Sequence, residues 1–187
     1  MGKIVLVLGP HGVGKTTLFN YARKQNEMIV FDGFQIPVKN LDLSIPEQFC
    51  LYQEKYIDLI RENNLEIKQS NKNGFVNRSI EESSYYYYFH TKKDEVFEHY
   101  NYIFEQFKDS KVDLIIYLDA KRNVLEERYL NDKHRDLEET LEWYRNEYSM
   151  YEEYWKNYDN VKVVNTENKS TEELYDEIQT ILTCAER

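Results

Sequence analysis

Cysteine, glycine and proline are scarce in this sequence, with 2 Cys, 6 Gly and 3 Pro among 187 residues. Cys50 and Cys184 are too few for a disulfide framework or a cysteine-based zinc site. We therefore expect both to be small buried side chains in a protein of a reducing compartment. No Pro-rich or Gly-rich linker divides the chain, and its length is that of one globular unit. We predict a single domain, residues 1–187.

Long apolar runs and an excess of positive charge are also missing. No stretch approaches the roughly 20 apolar residues that a membrane span requires, and Met1–Leu8 does not have the pattern of a secretion signal. We expect a cytoplasmic protein with no membrane partner. Lys plus Arg number 24 against 34 Asp plus Glu, so the formal net charge is −10. Because this charge opposes the attraction that drives binding to nucleic-acid phosphates, we expect no duplex nucleic acid as a partner.

The pattern that is present alternates apolar runs with amphipathic segments. Helices between buried strands predict an α/β fold of three layers, with a central parallel five-stranded sheet and helices on both faces. Ligands of such folds bind beyond the carboxyl ends of the strands. The polar segment Asn63–Gly74 is interpreted as a loop. The predicted strands are Lys3–Leu8, Met28–Phe31, Gly74–Val76, Val112–Leu118 and Val161–Val164.

The turn after the first strand carries the most specific motif. Residues 9–16 read G-P-H-G-V-G-K-T, which fits G-x-x-x-x-G-K-[ST] between a strand and a helix. The glycines permit an arc of N–H groups around an anion, Lys15 adds charge at the β- and γ-phosphates, and the Thr16 hydroxyl is suited to Mg²⁺. We therefore predict ATP and Mg²⁺ as cofactors and assign no role to Pro10 or His11. The residues predicted to hold the nucleotide are Gly9, Gly12, Val13, Gly14, Lys15, Thr16 and Thr17.

Motifs of other nucleotide-binding classes are absent from the sequence. No Asp stands three residues before a Gly, so the D-x-x-G motif of GTPases is missing. Residues 168–171 begin like N-K-x-D but lack the Asp. The fourth strand ends in the single acid Asp119, not in the Asp-Glu pair of mechanical ATPases. A small domain without these parts is most simply a kinase of a small molecule.

Two basic features favour phosphoryl transfer. Arg78 follows the third strand, where a guanidinium can hold the acceptor oxygen and the travelling phosphoryl group. Residues of about 128–137 interrupt two helices with a cluster of cations that includes Arg128 and Arg135. Such a segment is typical of a lid that closes over ATP. The alternative is a solvated turn whose cations pair with neighbouring acids.

In order and spacing, over most of the chain, these features resemble the deoxynucleoside kinase and thymidylate kinase family. The resemblance rests on G-P-H-G-V-G-K-T-T, a short strand ending near Asp32, Gln53 in the following helix, N-R-S at residues 77–79 and the basic lid at 128–135. It implies a P-loop kinase fold and a catalytic set on this chain. That set is Lys15, Asp32, Arg78, Arg128 and Arg135.

The resemblance also implies individual roles. Asp32 acts as base on the acceptor hydroxyl, Gln53 hydrogen-bonds the nucleobase, and Arg78 binds the phosphate side of the acceptor. Tyr87 lies at a spacing that suits stacking on the base, although packing of its ring is the alternative. Glu82 completes the predicted substrate-binding residues.

Three departures separate the chain from the family pattern. Asn77 stands where the family has an acid, so we expect the hold on Mg²⁺ to be weaker or to be supplied by Glu81 or Glu82. Gly33 replaces the Pro that commonly follows the strand-two acid. Two serines, residues 83–84, stand where many nucleoside kinases carry a second Arg, which leaves the base open.

The leading hypothesis is ATP-dependent transfer to the 5′-hydroxyl of a deoxynucleoside, giving the monophosphate. The first alternative is a nucleoside monophosphate kinase of the thymidylate kinase type. The second is a nucleotide-binding regulatory protein with weak catalysis. An apolar stripe from Leu137 to Tyr158 either packs on the sheet or forms the seam of a homodimer.

Overall fold

One parallel sheet organises the part of the chain that the computed structural model describes. The described residues are 1–32, 46–79, 82, 111–132, 140–155 and 161–184. The five strands have the order β2-β3-β1-β4-β5. Their bounds are β1 Ile4–Leu8, β2 Ile29–Phe31, β3 Gly74–Val76, β4 Leu114–Asp119 and β5 Val161–Asn165. Every pairing is parallel, which confirms the predicted sheet.

Helices cover both faces of this sheet. The helices of the described ranges are α1 Lys15–Gln25, α2 Pro46–Gln69, α3 Arg122–Asn131, α4 Leu141–Tyr154 and α5 Thr171–Cys184. On one face, Val5 and Val7 of β1 share a core with residues of α1, α3 and α5. On the other, Ile4, Leu6 and Leu8 share a core with residues of α2 and α4. The predicted three-layer α/β fold is therefore confirmed.

The apolar stripe of α4 packs against the sheet. Tyr144 and Tyr148 belong to the first core, and Tyr151 and Trp155 belong to the second. Because these rings are buried within the chain, they do not offer a seam to a second copy. A homodimer stays a prediction that this stripe does not support.

Two smaller expectations are wrong. Cys184 is exposed at the end of α5 and is not part of the core. The predicted loop at Asn63–Gly74 is helical as far as Gln69, because the polar residues of this segment share the last turns of α2 with the fully buried Ile67. No helix in the ranges that the structure describes is both long and apolar enough to span a membrane.

Gly74 begins β3 because α2 approaches the strand there. A Cβ built on Gly74 would lie 2.3 Å from Cδ1 and 2.4 Å from Cγ1 of Ile67. A glycine within a strand often marks such a close approach. The contact fixes α2 against β3, the strand that Asn77 and Arg78 follow.

We expect Gly74→Ala to destabilise the fold by ~1–3 kcal/mol, since the added methyl overpacks this contact. Urea unfolding followed by circular dichroism measures the effect. The double variant Gly74→Ala with Ile67→Val should recover part of the loss. Ile67→Val alone is the control and should cost only ~0.5–1.5 kcal/mol. An unchanged unfolding midpoint for Gly74→Ala would contradict the packing described here.

Candidate active site

The turn between β1 and α1 is a tight backbone arc that depends on glycine. Gly9, Gly12 and Gly14 have φ values of 140°, 76° and 106°, which side chains strongly disfavour. A Cβ on Gly9 would also lie 2.5 Å from the carbonyl oxygen of Leu118 in β4. Val13 is buried in the core and anchors the arc. Gly9 and Val13 therefore shape the loop on the side that packs against β4 and the core.

The start of α1 presents unpaired donors to a cavity of about 330 Å³. The first hydrogen bond of the helix runs from the Leu18 N–H to the Gly14 carbonyl at 3.0 Å. The N–H groups of Lys15, Thr16 and Thr17 consequently have no acceptor within the helix. All three residues line the cavity, together with Gly12 and Gly14. A helix start of this kind is an anion site, so the arrangement fits the phosphates of a nucleotide.

Lys15 folds back over the loop that carries it. Its Nζ donates to the carbonyl oxygens of Gly9 at 2.5 Å and Pro10 at 3.1 Å. Removal from water lowers the pKa of Lys15 to about 8; the charge of Glu147 opposes this fall, and that of Arg78 adds to it. The ammonium is therefore mostly protonated at neutral pH, and an anion in the cavity can replace the two carbonyls as its partner.

The affinity for ATP should fall as the pH rises through about 8. A polyanion binds the ammonium form of Lys15, and the unliganded protein loses this proton above that pH. The affinity should then approach a loss of ~10-fold per pH unit in calorimetric titrations up to about pH 9.5. Lys15→Arg is the control, because a guanidinium stays protonated throughout this range. Parallel profiles for the two proteins would contradict the assignment to Lys15.

Asp32 and Asn77 meet because their strands are neighbours. Asp32 follows β2, Asn77 follows β3, and the Asn77 N–H donates to the Phe31 carbonyl at 3.1 Å. Nδ2 of Asn77 lies 3.4 Å from Oδ1 of Asp32, and a guanidinium nitrogen of Arg23 lies 3.7 Å from Oδ2. A carboxylate at position 77 would repel Asp32, whereas the amide donates to it. Asn77 thus positions Asp32, the residue that is predicted to act as general base.

Arg78 is held at the cavity wall by a buried carboxylate. Its guanidinium forms an ion pair with Glu82, whose side chain is 1 % exposed. The Tyr151 hydroxyl donates to the same carboxylate oxygen at 3.1 Å. Burial, and then the charge of Glu82, raise the pKa of Tyr151 well above its ordinary value, so the hydroxyl keeps its proton. Glu82 supports Arg78 from behind, and its predicted contact with substrate stays a prediction.

Arg128 links the phosphate loop to the turn after β5. Its guanidinium donates to the Thr166 hydroxyl at 3.3 Å, and the Thr166 N–H donates to the Asp119 carbonyl at 2.8 Å. A Cβ on Gly12 would lie 3.3 Å from Cβ of Arg128, so the start of the predicted lid packs directly on the loop. The contact of Arg128 with ATP stays a prediction.

Several predicted residues cannot be placed. Arg135 and Tyr87 lie outside the described residues, as does the predicted lid beyond Asp132. Glu81 lies outside them as well. Gln53 belongs to α2, but its side chain is not among those described.

Sequence reasoning missed one pair at the site, His11 and Glu147. Glu147 of α4 lines the cavity with a side chain that is 1 % exposed, and its Oε2 lies 2.7 Å from Nδ1 of His11. A signal existed, because Glu147 stands three residues after Tyr144 and one before Tyr148. A carboxylate on the apolar face of a helix is costly unless it has a partner.

Among the residues that the structure describes, the side chains at the site fit Mg²⁺ as an ion held largely by phosphate and water. Within the described ranges no group of three or more His, Cys, Asp or Glu side chains is placed to hold a metal. Thr16 is exposed and lines the cavity. Since Mg²⁺ at nucleotide sites usually keeps several waters and few protein ligands, one hydroxyl beside a phosphate cradle is a suitable donor.

A five-stranded parallel sheet with this loop after its central strand defines a P-loop kinase fold. No protein-family model matches the chain, and no curated protein sequence does. Solved structures of deoxyadenosine kinase from M. mycoides are similar to it. The one with products dCMP and a flexible dCDP bound has a TM-score of 0.66 at 17 % identity, over 97 % of this chain and 99 % of that chain.

Two further structures of that enzyme agree. The dATP-bound one has a TM-score of 0.63 at 19 % identity, over 96 % of this chain and 99 % of that one. The dCTP-bound one has a TM-score of 0.59 at 18 % identity, over 97 % and 99 %. At such identities the likeness shows the fold. The chain has a deoxynucleoside kinase-like P-loop fold.

Proposed function

We propose that this protein transfers the γ-phosphoryl group of ATP to the 5′-hydroxyl of a deoxynucleoside and releases the monophosphate and ADP. One observation carries the proposal. One cavity is lined both by Lys15 and Thr16 at the start of α1 and by Asn77 and Arg78 after β3. Asn77 in turn holds Asp32, so a candidate base lies beside the phosphate cradle. The shared fold with a deoxyadenosine kinase supports the same reaction class.

The residues divide the reaction between them. The N–H groups at the start of α1 and the Lys15 ammonium hold the β- and γ-phosphates. Asp32 accepts the proton of the 5′-hydroxyl as the oxygen bonds to the γ-phosphorus and the bond to the bridging oxygen of ADP breaks. Arg78 neutralises charge on the transferred group. Mg²⁺, when bound at Thr16, withdraws charge from the phosphates.

The charge of the site favours an uncharged acceptor over a monophosphate. Glu82 compensates the guanidinium of Arg78, and Glu147 lies at the cavity wall as a further carboxylate. Asp32 adds negative charge on the side of β2. A dianionic acceptor would meet these carboxylates, with little positive charge among the described residues left to attract it. A nucleoside hydroxyl meets no such repulsion and gains a base.

A turnover assay with ATP tests the function. The acceptors are the four common deoxynucleosides and, separately, their 5′-monophosphates, with products resolved by chromatography. We expect transfer to at least one deoxynucleoside and little to the monophosphates. Transfer to monophosphates alone would establish the nucleotide kinase alternative. Binding of ATP without transfer to any acceptor would favour the regulatory alternative.

A further inference from the structure

Three residues of α4 contact His11, a residue of the phosphate loop. His11 occupies a variable position of the motif, and its side chain is 49 % exposed at the cavity. Its Nδ1 lies 2.7 Å from Oε2 of Glu147, and its backbone N–H points to the same oxygen at 3.4 Å. The Tyr144 hydroxyl donates to the His11 carbonyl at 3.1 Å. The Trp143 ring lies beside the imidazole, with ring centroids 5.7 Å apart.

The carboxylate fixes the state of the imidazole. An ionised Glu147 can only accept a hydrogen bond, so Nδ1 of His11 carries the hydrogen. Nε2 then lies across the ring from Glu147 and has no hydrogen-bond partner among the residues that the structure describes. A carboxylate that fixes one ring nitrogen sets the orientation and hydrogen-bonding role of the other.

A buried carboxylate at the wall of an anion site is unfavourable unless a positive charge lies between it and the anion. Glu147 alone would repel a triphosphate in the same cavity. A protonated His11 between them removes this conflict, because one imidazolium can donate Nδ1–H to Glu147 and Nε2–H to a phosphate oxygen.

We propose that His11 is a phosphate-contacting residue and that Glu147 is the positioning residue that orients it. The proposal rests on the nucleotide site of the proposed function, to which it adds one further contact with phosphate. The other charged groups that line the cavity are Lys15 of α1, Arg78 after β3 and Asp132 after α3. The neutral hydroxyl-bearing side chain of Tyr151 in α4 also lines it. The Tyr144 hydroxyl, from the same helix, donates to the His11 carbonyl.

ATP binding without acceptor tests the proposal independently of turnover. Calorimetric affinities are measured for wild type and His11→Asn from about pH 5.5 to about 7.5, where imidazole groups titrate and Lys15 stays largely protonated. The Asn amide keeps a donor near the place of Nδ1 for Glu147 but has nothing at the place of Nε2. Wild type should bind about tenfold more tightly at the acidic end, and this ratio should shrink as the pH rises.

Two further variants separate contact from loop support. The amide of His11→Gln can reach the place of Nε2, so this variant should recover part of the affinity without the pH dependence. In a Glu147→Gln background, the ratio between the ATP affinities of the proteins without and with His11→Asn should be smaller at the acidic end. The ratio between proteins at each pH cancels the titration of ATP itself. Melting curves confirm that each variant is folded.

The outcomes are distinct from those of the proposed function. A wild-type to His11→Asn ratio near one at every pH would overturn the phosphate contact, whatever the turnover. A ratio above one that does not change with pH would overturn the charged form of the contact. If the ratio behaves as expected but no acceptor is phosphorylated, the kinase function fails and this inference stands.

Discussion

Lys15→Ala should lower the rate of phosphoryl transfer at least ~10²-fold, the order of loss when one preorganised electrostatic contact to the transition state is removed. The ammonium is the cation that the loop itself brings to the phosphates, and no neighbouring lysine in α1 lines the cavity. Single-turnover assays with saturating ATP and the best deoxynucleoside measure the effect on the chemical step.

The fold should survive this change. Among the described residues the Lys15 ammonium donates to the Gly9 and Pro10 carbonyls, which belong to the loop and not to the core. Lys24→Ala is the matched control, because Lys24 is an exposed lysine in the last turn of the same helix. It should keep wild-type activity. Near-normal turnover by folded Lys15→Ala would refute the assignment of this cavity to the transferred phosphate.

The phosphate loop could be predicted because its parts are consecutive in sequence. Residues 9–16 combine the glycines, the lysine and the threonine, and the apolar run before them is long enough to identify a buried strand. The order of elements along the chain was sufficient for the parallel sheet. Local patterns therefore predicted the fold and the loop to which the proposed function assigns the nucleotide.

The other half of the site depends on contacts between distant residues. His11 and Glu147 are 136 positions apart, and Asn77 and Asp32 are 45 apart. A single sequence shows neither pairing. Asn77 stands where the resembling family has an acid, and the structure adds that its amide donates to Asp32. The end of α2 was misjudged for a related reason, since the burial of Ile67 against Gly74 is decided by packing and not by local composition.

Asp32→Asn should reduce the rate on deoxynucleosides by ~10²–10⁴-fold, the usual contribution of a positioned general base. The amide keeps the shape of the side chain and can still contact Arg23 and Asn77, but it cannot take the proton of the 5′-hydroxyl. ATP affinity should change little, because Asp32 is not among the residues that line the phosphate cavity. Asp176→Asn, an exposed acid on α5, is the matched control.

Matched acceptors make this prediction decisive. Thymidine and its 5′-monophosphate differ only in the phosphate, and the monophosphate presents a nucleophilic oxygen that is already ionised. It therefore gains nothing from a base, and a carboxylate near that oxygen repels it. Wild type should prefer the nucleoside of each such pair, and Asp32→Asn should lose that activity. A wild-type preference for the monophosphate, with Asp32→Asn still active on it, would instead establish the nucleotide kinase alternative.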